Sequence, residues 1–120
     1  MKNYKLPQEL ESMHIIPAIR REYVRLMAER GMSQKEIAKK LGITEASVSH
    51  YVSEKRATKV TFDVKTLAEI RKTAEKIVGG RSPVNGTQKV CMLLRKNMLL
   101  CKISKKMGYA PRNCRVCYQN

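Results

Sequence analysis

A chain of 120 residues is one ordinary domain, or a small domain with an appendage, and excludes a large multidomain enzyme. Its 25 Lys and Arg against 10 Asp and Glu give a formal charge of +15, which asks for a polyanionic partner. Hydrophobic residues make up 42%, enough for a core, yet no uninterrupted apolar stretch nears the roughly 20 residues a membrane span needs. No acidic residue follows Glu75, so the charge is concentrated toward the end of the chain. The opening MKNYKLPQEL has no apolar signal core, and a soluble, cytoplasmic protein is expected.

Taken in chain order, Ile15, Ile19, Tyr23, Leu26 and Met27 recur at helical spacing around Pro17 and predict an amphipathic helix over about 17–30, ended by Gly31. Ser33-Gln34-Lys35-Glu36 has the form of a capping box, and Ile37, Ala38 and Leu41 supply the buried stripe of a short second helix that stops at Gly42. Thr44 can cap a third helix, of about eight residues, with Val48, Tyr51 and Val52 as its apolar positions. A fourth helix runs from Asp63 to Val78, with Leu67, Ile70, Ala74 and Ile77 on one side, and the Gly79-Gly80 pair closes it. That side could close the core or meet a second copy of the chain. Residues 81–86, with Pro83 and Asn85-Gly86, read as a turn-rich linker, which divides the chain into 1–80 and 81–120. One or two helical pieces are expected up to Met107, and then a looped tail.

Residues 33–52, SQKEIAKKLGITEASVSHYV, have the organisation of a helix-turn-helix. Two closely crossing helices need a small residue in the first, a permissive one at the turn and an apolar lock after it; Ala38, Gly42 and Ile43 fill those places. The free face of the third helix then presents Glu45, Ala46, Ser47, Ser49 and His50 to a major groove. A carboxylate can accept from a cytosine amino group, a methyl can touch a thymine methyl, and an imidazole can bond a purine N7. None of these is positively charged by default, so affinity must come from phosphate contacts. Gln34 and the amides after the Ser33 cap, with Ser49, Lys35, Lys39, Lys55, Arg56 and Lys59, are the candidates.

Pro17-Ala18-Ile19-Arg20, Gly42-Ile43-Thr44 and the Val48 to Tyr51 stretch carry a resemblance to a family of small archaeal helix-turn-helix transcriptional regulators. The resemblance extends to the cysteine-bearing tail, which in that family looks like a thiolate cluster site. Where the family often has Gln, this chain has Glu45 and His50, which implies a different operator. Where the family has a Cys, it has Leu94.

All four cysteines, Cys91, Cys101, Cys114 and Cys117, lie in the last thirty residues, spaced Cys-x9-Cys-x12-Cys-x2-Cys. The two-residue gap between Cys114 and Cys117 lets both sulfurs reach one tetrahedral metal, and four thiolates suffice for zinc or an iron–sulfur cluster. In a metal-free chain, Cys91 and Cys101 would be small core residues and the other two spare thiols. A disulfide within either pair is open under oxidising conditions.

The composite expectation is an all-α protein: a helix-turn-helix domain of about four helices, then a short helical, cysteine-containing segment. It would bind double-stranded DNA sequence-specifically as a homodimer, its third helices entering successive major grooves about 34 Å apart. A metal or redox signal at the cysteines would set the spacing of the two reading helices. Two other classes compete: a basic RNA-binding or ribosome-associated module, and an antitoxin-like adaptor that grips a protein. Five Tyr, one Phe and no Trp are poor provision for stacking single-stranded bases. An enzyme is not expected, because no Ser-His-acid set, carboxylate pair or Gly-rich phosphate loop is present. No small-molecule substrate or membrane partner is evident.

Overall fold

The computed structural model describes residues 6–53 and 60–96, and among these every regular element is helical. A short helix α1 (Pro7–Leu10) passes through a π-helical turn (Glu11–Ile15) into α2 (Ile16–Glu29). Then come α3 (Gln34–Leu41), α4 (Glu45–Val52), α5 (Val64–Val78) and α6 (Pro83–Lys96). No described helix is long and apolar enough to cross a membrane.

Helix α2 is central and touches α3, α4, α5 and α6. It holds that place by burying Ala18, Ile19, Tyr23, Val24, Leu26 and Met27, a stripe wider than one neighbour could cover. Ile37, Ala38 and Leu41 from α3, Val48 and Tyr51 from α4, Ile70, Ala74 and Ile77 from α5, and Val90, Cys91 and Leu94 from α6 complete one core. Each fully buried aliphatic side chain among them contributes roughly 1.5–3 kcal/mol of transfer free energy. The apolar side of α5 is therefore taken up inside the chain, and only Leu67 of the four residues expected there stays half-buried.

Two boundaries differ from the sequence reading. The first helix begins not near residue 17 but at Pro7, ten residues earlier. Pro17 has no N–H to give to a carbonyl four residues back, and its ring would press on that carbonyl. Just before it, the Ile16 amide reaches the Glu11 carbonyl, five residues back, so a widened turn accommodates the proline inside a continuous helical run. Leu10 and Ile15 on that run are buried, as is the carboxylate of Glu11.

The second correction concerns 81–86. Only Arg81 and Ser82 separate α5 from α6 beyond the Gly79-Gly80 stop, because Ser82 Oγ accepts the Asn85 amide at 3.3 Å and Pro83 supplies the pre-set φ of a first helical position. Pro and Asn-Gly thus open a helix instead of forming a turn. Gly86 is needed for packing: a Cβ there would lie 2.6 Å from Thr73 Cγ2 on α5, closer than side-chain atoms approach. The missing side chain lets α5 and α6 meet along their length.

Tyr23 joins α2 to α6 through its hydroxyl, 3.2 Å from Thr87 Oγ1. Burial pushes its phenol pKa from 10.0 up to about 12, although the Thr87 hydrogen bond pulls the other way. In the unfolded chain the phenol ionises first, so the unfolded state binds fewer protons between those values. The stabilisation is complete below pH 10 and lost as pH climbs toward 12, by roughly 2 to 3 kcal/mol in all. Denaturant midpoints of wild type and Tyr23→Phe measured from pH 8 to 12 are expected to keep a constant separation below pH 10, wild type then losing stability relative to the variant above it; curves that stay parallel throughout would count against this.

Candidate nucleic-acid interface

Helix α3 starts with the reciprocal cap read from the sequence. Ser33 Oγ accepts the Glu36 amide at 3.1 Å, and Glu36 Oε1 accepts the Ser33 amide at 3.2 Å. Met32 and Ile37, before and within the first turn, both join the core and fix the entry of the chain. The helix ends at Gly42, whose φ of 68° is a left-handed conformation that a side chain would strain. Its successor Ile43 donates its amide to the Ala38 carbonyl at 3.1 Å and packs on the core, so the chain turns sharply within three residues.

Helix α4 repeats the device. Thr44 Oγ1 accepts the Ser47 amide at 3.1 Å and donates to Ser47 Oγ at 3.0 Å. Val48 and Tyr51 are buried, and α4 packs on both α2 and α3. Because those two residues take the inward side, Glu45, Ala46, Ser49 and His50 lie exposed on the outward side, with Ser47 half-buried at its edge. These are the side chains the sequence assigned to base reading. Val52, expected to be apolar cover, is instead 46% exposed, since it stands on the last residue of α4, past the reach of the core.

Ser33, Gln34 and Lys35 are exposed together at the start of α3, and Lys39 and Lys40 are exposed on its last turn. The first three stand where a helix N-terminus favours an anion. Lys55, Arg56 and Lys59 lie outside the described residues, as do Cys101, Cys114 and Cys117.

Cys91 is the one cysteine within the described residues. The side chain is buried on α6, its thiol pKa raised by burial and further by the nearby Glu11 carboxylate, against a smaller lowering by Arg95. Both raising effects keep the thiol protonated in the absence of a metal. In this position Cys91 packs as a core residue of α6. Among the described residues no group of three or more His, Cys, Asp or Glu is arranged to hold a metal ion.

Three ion pairs between distant parts of the chain have no counterpart in the sequence pattern. Arg95, near the end of α6, donates through Nε and Nη2 to the two carboxylate oxygens of Glu11 at 2.9 and 2.7 Å, tying the last described helix to the π-helical turn. Arg71 similarly reaches Glu29 at 2.9 Å, and Arg30 pairs with Glu75, bracing α2 against α5. Pairs separated by 42 to 84 residues leave no local spacing signal.

Comparison with protein families matches residues 23–62 to a family described as helix-turn-helix. Comparison with curated proteins and with solved structures returns no match. The matched span runs from Tyr23 in α2 through α3 and α4 to Phe62, so it takes in both helices, the Gly42 turn and the part of α2 against which they pack. The chain is all-helical through its described residues and built around a helix-turn-helix similar to that family.

Proposed function

We propose that this protein is a sequence-specific DNA-binding transcriptional regulator that acts as a homodimer on a near-palindromic site. The carrying observation is the split of α4: Val48 and Tyr51 anchor it, while Glu45, Ala46, Ser49 and His50 stand exposed on the second helix of a helix-turn-helix. Those side chains, with Ser47, would read base edges. Ser33, Gln34, Lys35 and Thr44, the first turns of the two helices, and Lys55 and Arg56 beyond them, would hold phosphates. The apolar side of α5 is occupied, so the dimer contact would come from elsewhere, and the segment 97–120 is our candidate. Residues 1–80 and 81–120 then differ in task, DNA contact and assembly, while sharing a core through α6.

Selection from a pool of random duplexes tests this directly. The expected result is enrichment of a symmetric sequence with half-sites about one helical turn apart, bound by two chains per duplex in sedimentation. No enrichment, or preferential binding of structured RNA at every salt concentration, would overturn it.

The regulatory part of the proposal is an iron–sulfur cluster or zinc ion at the tail, as the resemblance to the archaeal family implies. Cys91, Cys101, Cys114 and Cys117 would be its ligands. Protein purified without oxygen is expected to carry metal or visible absorbance that Cys114→Ser abolishes. A colourless, metal-free wild type removes the cofactor from the account.

A further inference from the structure

Arg81 and Ser82, the two residues just before α6, sit between two adjoining depressions. One, of about 490 Å³, lies against α3 and is lined by Met32, Glu36, Lys39, Lys40 and the α5–α6 connection. The other, of about 200 Å³, is lined by Lys76, Lys89, Thr73 and Asn85, and shares Ile77, Arg81 and Ser82 with the first. Five exposed cations, Lys39, Lys40, Lys76, Arg81 and Lys89, thus border one continuous tract. Glu36, the one carboxylate lining these two depressions, is engaged in the α3 capping box, while Asp63 and Glu69 line a third depression that also borders Lys76 and Lys89. None of the five cations forms an ion pair with a described carboxylate.

Helix dipoles account for part of this. Lys39, Lys40 and Lys76 stand in the last turns of α3 and α5, where a cation is favourable. Arg81 also stands just past the end of α5, where its amide donates to the Lys76 carbonyl at 2.9 Å, but no helix end accounts for Lys89, in the second turn of α6. Five like charges are thus gathered around grooves with hydroxyl and amide groups in their walls, and they repel one another. A chain of phosphates relieves that repulsion better than any single anion.

We propose that this tract is a second phosphate-binding surface that holds the backbone of the duplex flanking the operator, an inference that rests on the DNA-binding reading above. The link is α3. Its first turn is assigned to operator phosphates, and its last turn supplies Lys39 and Lys40, about 8–9 Å further along the axis. That distance spans roughly two or three base pairs of one strand. The reading helix selects the site, and the tract lengthens the footprint to one side of each half-site.

The test uses the full chain and a 60-base-pair duplex of random sequence, with binding measured across a range of salt. In Lys40→Gln/Arg81→Gln/Lys89→Gln the slope of log affinity against log salt is expected to shrink by about 2 to 3, near 0.9 for each phosphate no longer neutralised. A control triple of exposed cations elsewhere, Arg20→Gln/Lys72→Gln/Lys96→Gln, is expected to change it by less than about 1. Equal changes in the two triples would reduce the effect to net charge and overturn the tract, as would an unchanged slope in both. Equal displacement of the duplex by polyglutamate from wild type and the first triple supports the phosphate assignment; displacement from wild type alone would assign the tract to an acidic protein and overturn it. If the first triple alters the slope while α4 variants leave sequence preference intact, the tract stands and the reading helix fails. The converse pattern rejects the tract alone.

Discussion

Replacing Ser47 and His50 together with alanine is expected to lower preference for the selected operator over a scrambled duplex by roughly 10- to 100-fold, at about 1–3 kcal/mol for good base contacts. Affinity for the scrambled duplex should stay within about two-fold, because neither side chain is assigned to phosphate. The substitutions suit the purpose, since neither residue supports the core. His50 is exposed, and the Ser47 hydroxyl only accepts from Thr44, while the cap itself runs through the Ser47 amide and survives. Fluorescence anisotropy on both duplexes at several salt concentrations separates the outcomes. Equal weakening on the two would mean that these side chains do not discriminate bases.

The second large effect concerns stability. Arg95→Ala is expected to cost about 2–3 kcal/mol, lowering the melting temperature by on the order of 10 °C. The carboxylate side chain of Glu11 is only 7% exposed, so removing both guanidinium bonds would strand a charge with little water to replace them. The half-exposed guanidinium keeps the figure below that of a wholly buried pair. Adding Glu11→Leu to Arg95→Ala removes the stranded charge and is expected to recover most of the stability. A drop under about 0.5 kcal/mol for the single variant would put the pair among ordinary surface contacts. Because Cys91 shares this corner of the core, the same variant also tests how firmly α6 is docked.

These two predictions differ in where they come from. Residues 33–52 were legible because each requirement there is local: a hydroxyl with a Glu three residues on, a small Ala38, Gly42 at a left-handed turn and apolar residues three or four apart. The structure places those features as read, with Val52 the exception at the end of its helix. Glu11 and Arg95 were invisible for the opposite reason, since nothing marks a partner 84 residues away.

The 81–86 segment shows how the same residues can be read in two ways. Pro and Asn-Gly break a chain that has nothing to pack against, but Pro83 is also a good first helical residue and Gly86 is what lets α6 lie on Thr73. Propensity is a small local term, and burial of Val90, Cys91 and Leu94 outweighs it. Cys91 illustrates the consequence. Spacing alone groups it with the tail thiols, whereas packing assigns it to the core, beside a carboxylate that disfavours its thiolate.

Local chemistry was thus enough to establish that the chain is basic, helical and organised around capped helices crossing at Gly42, because caps, turns and periodicity act within four residues. Which helix is central, where the first helical run truly begins, that α6 joins the core, and that Lys39 meets Arg81 and Lys89 along one tract were decided by packing. Those outcomes depend on surfaces brought together from distant parts of the chain, and their free energies exist only once the helices have met.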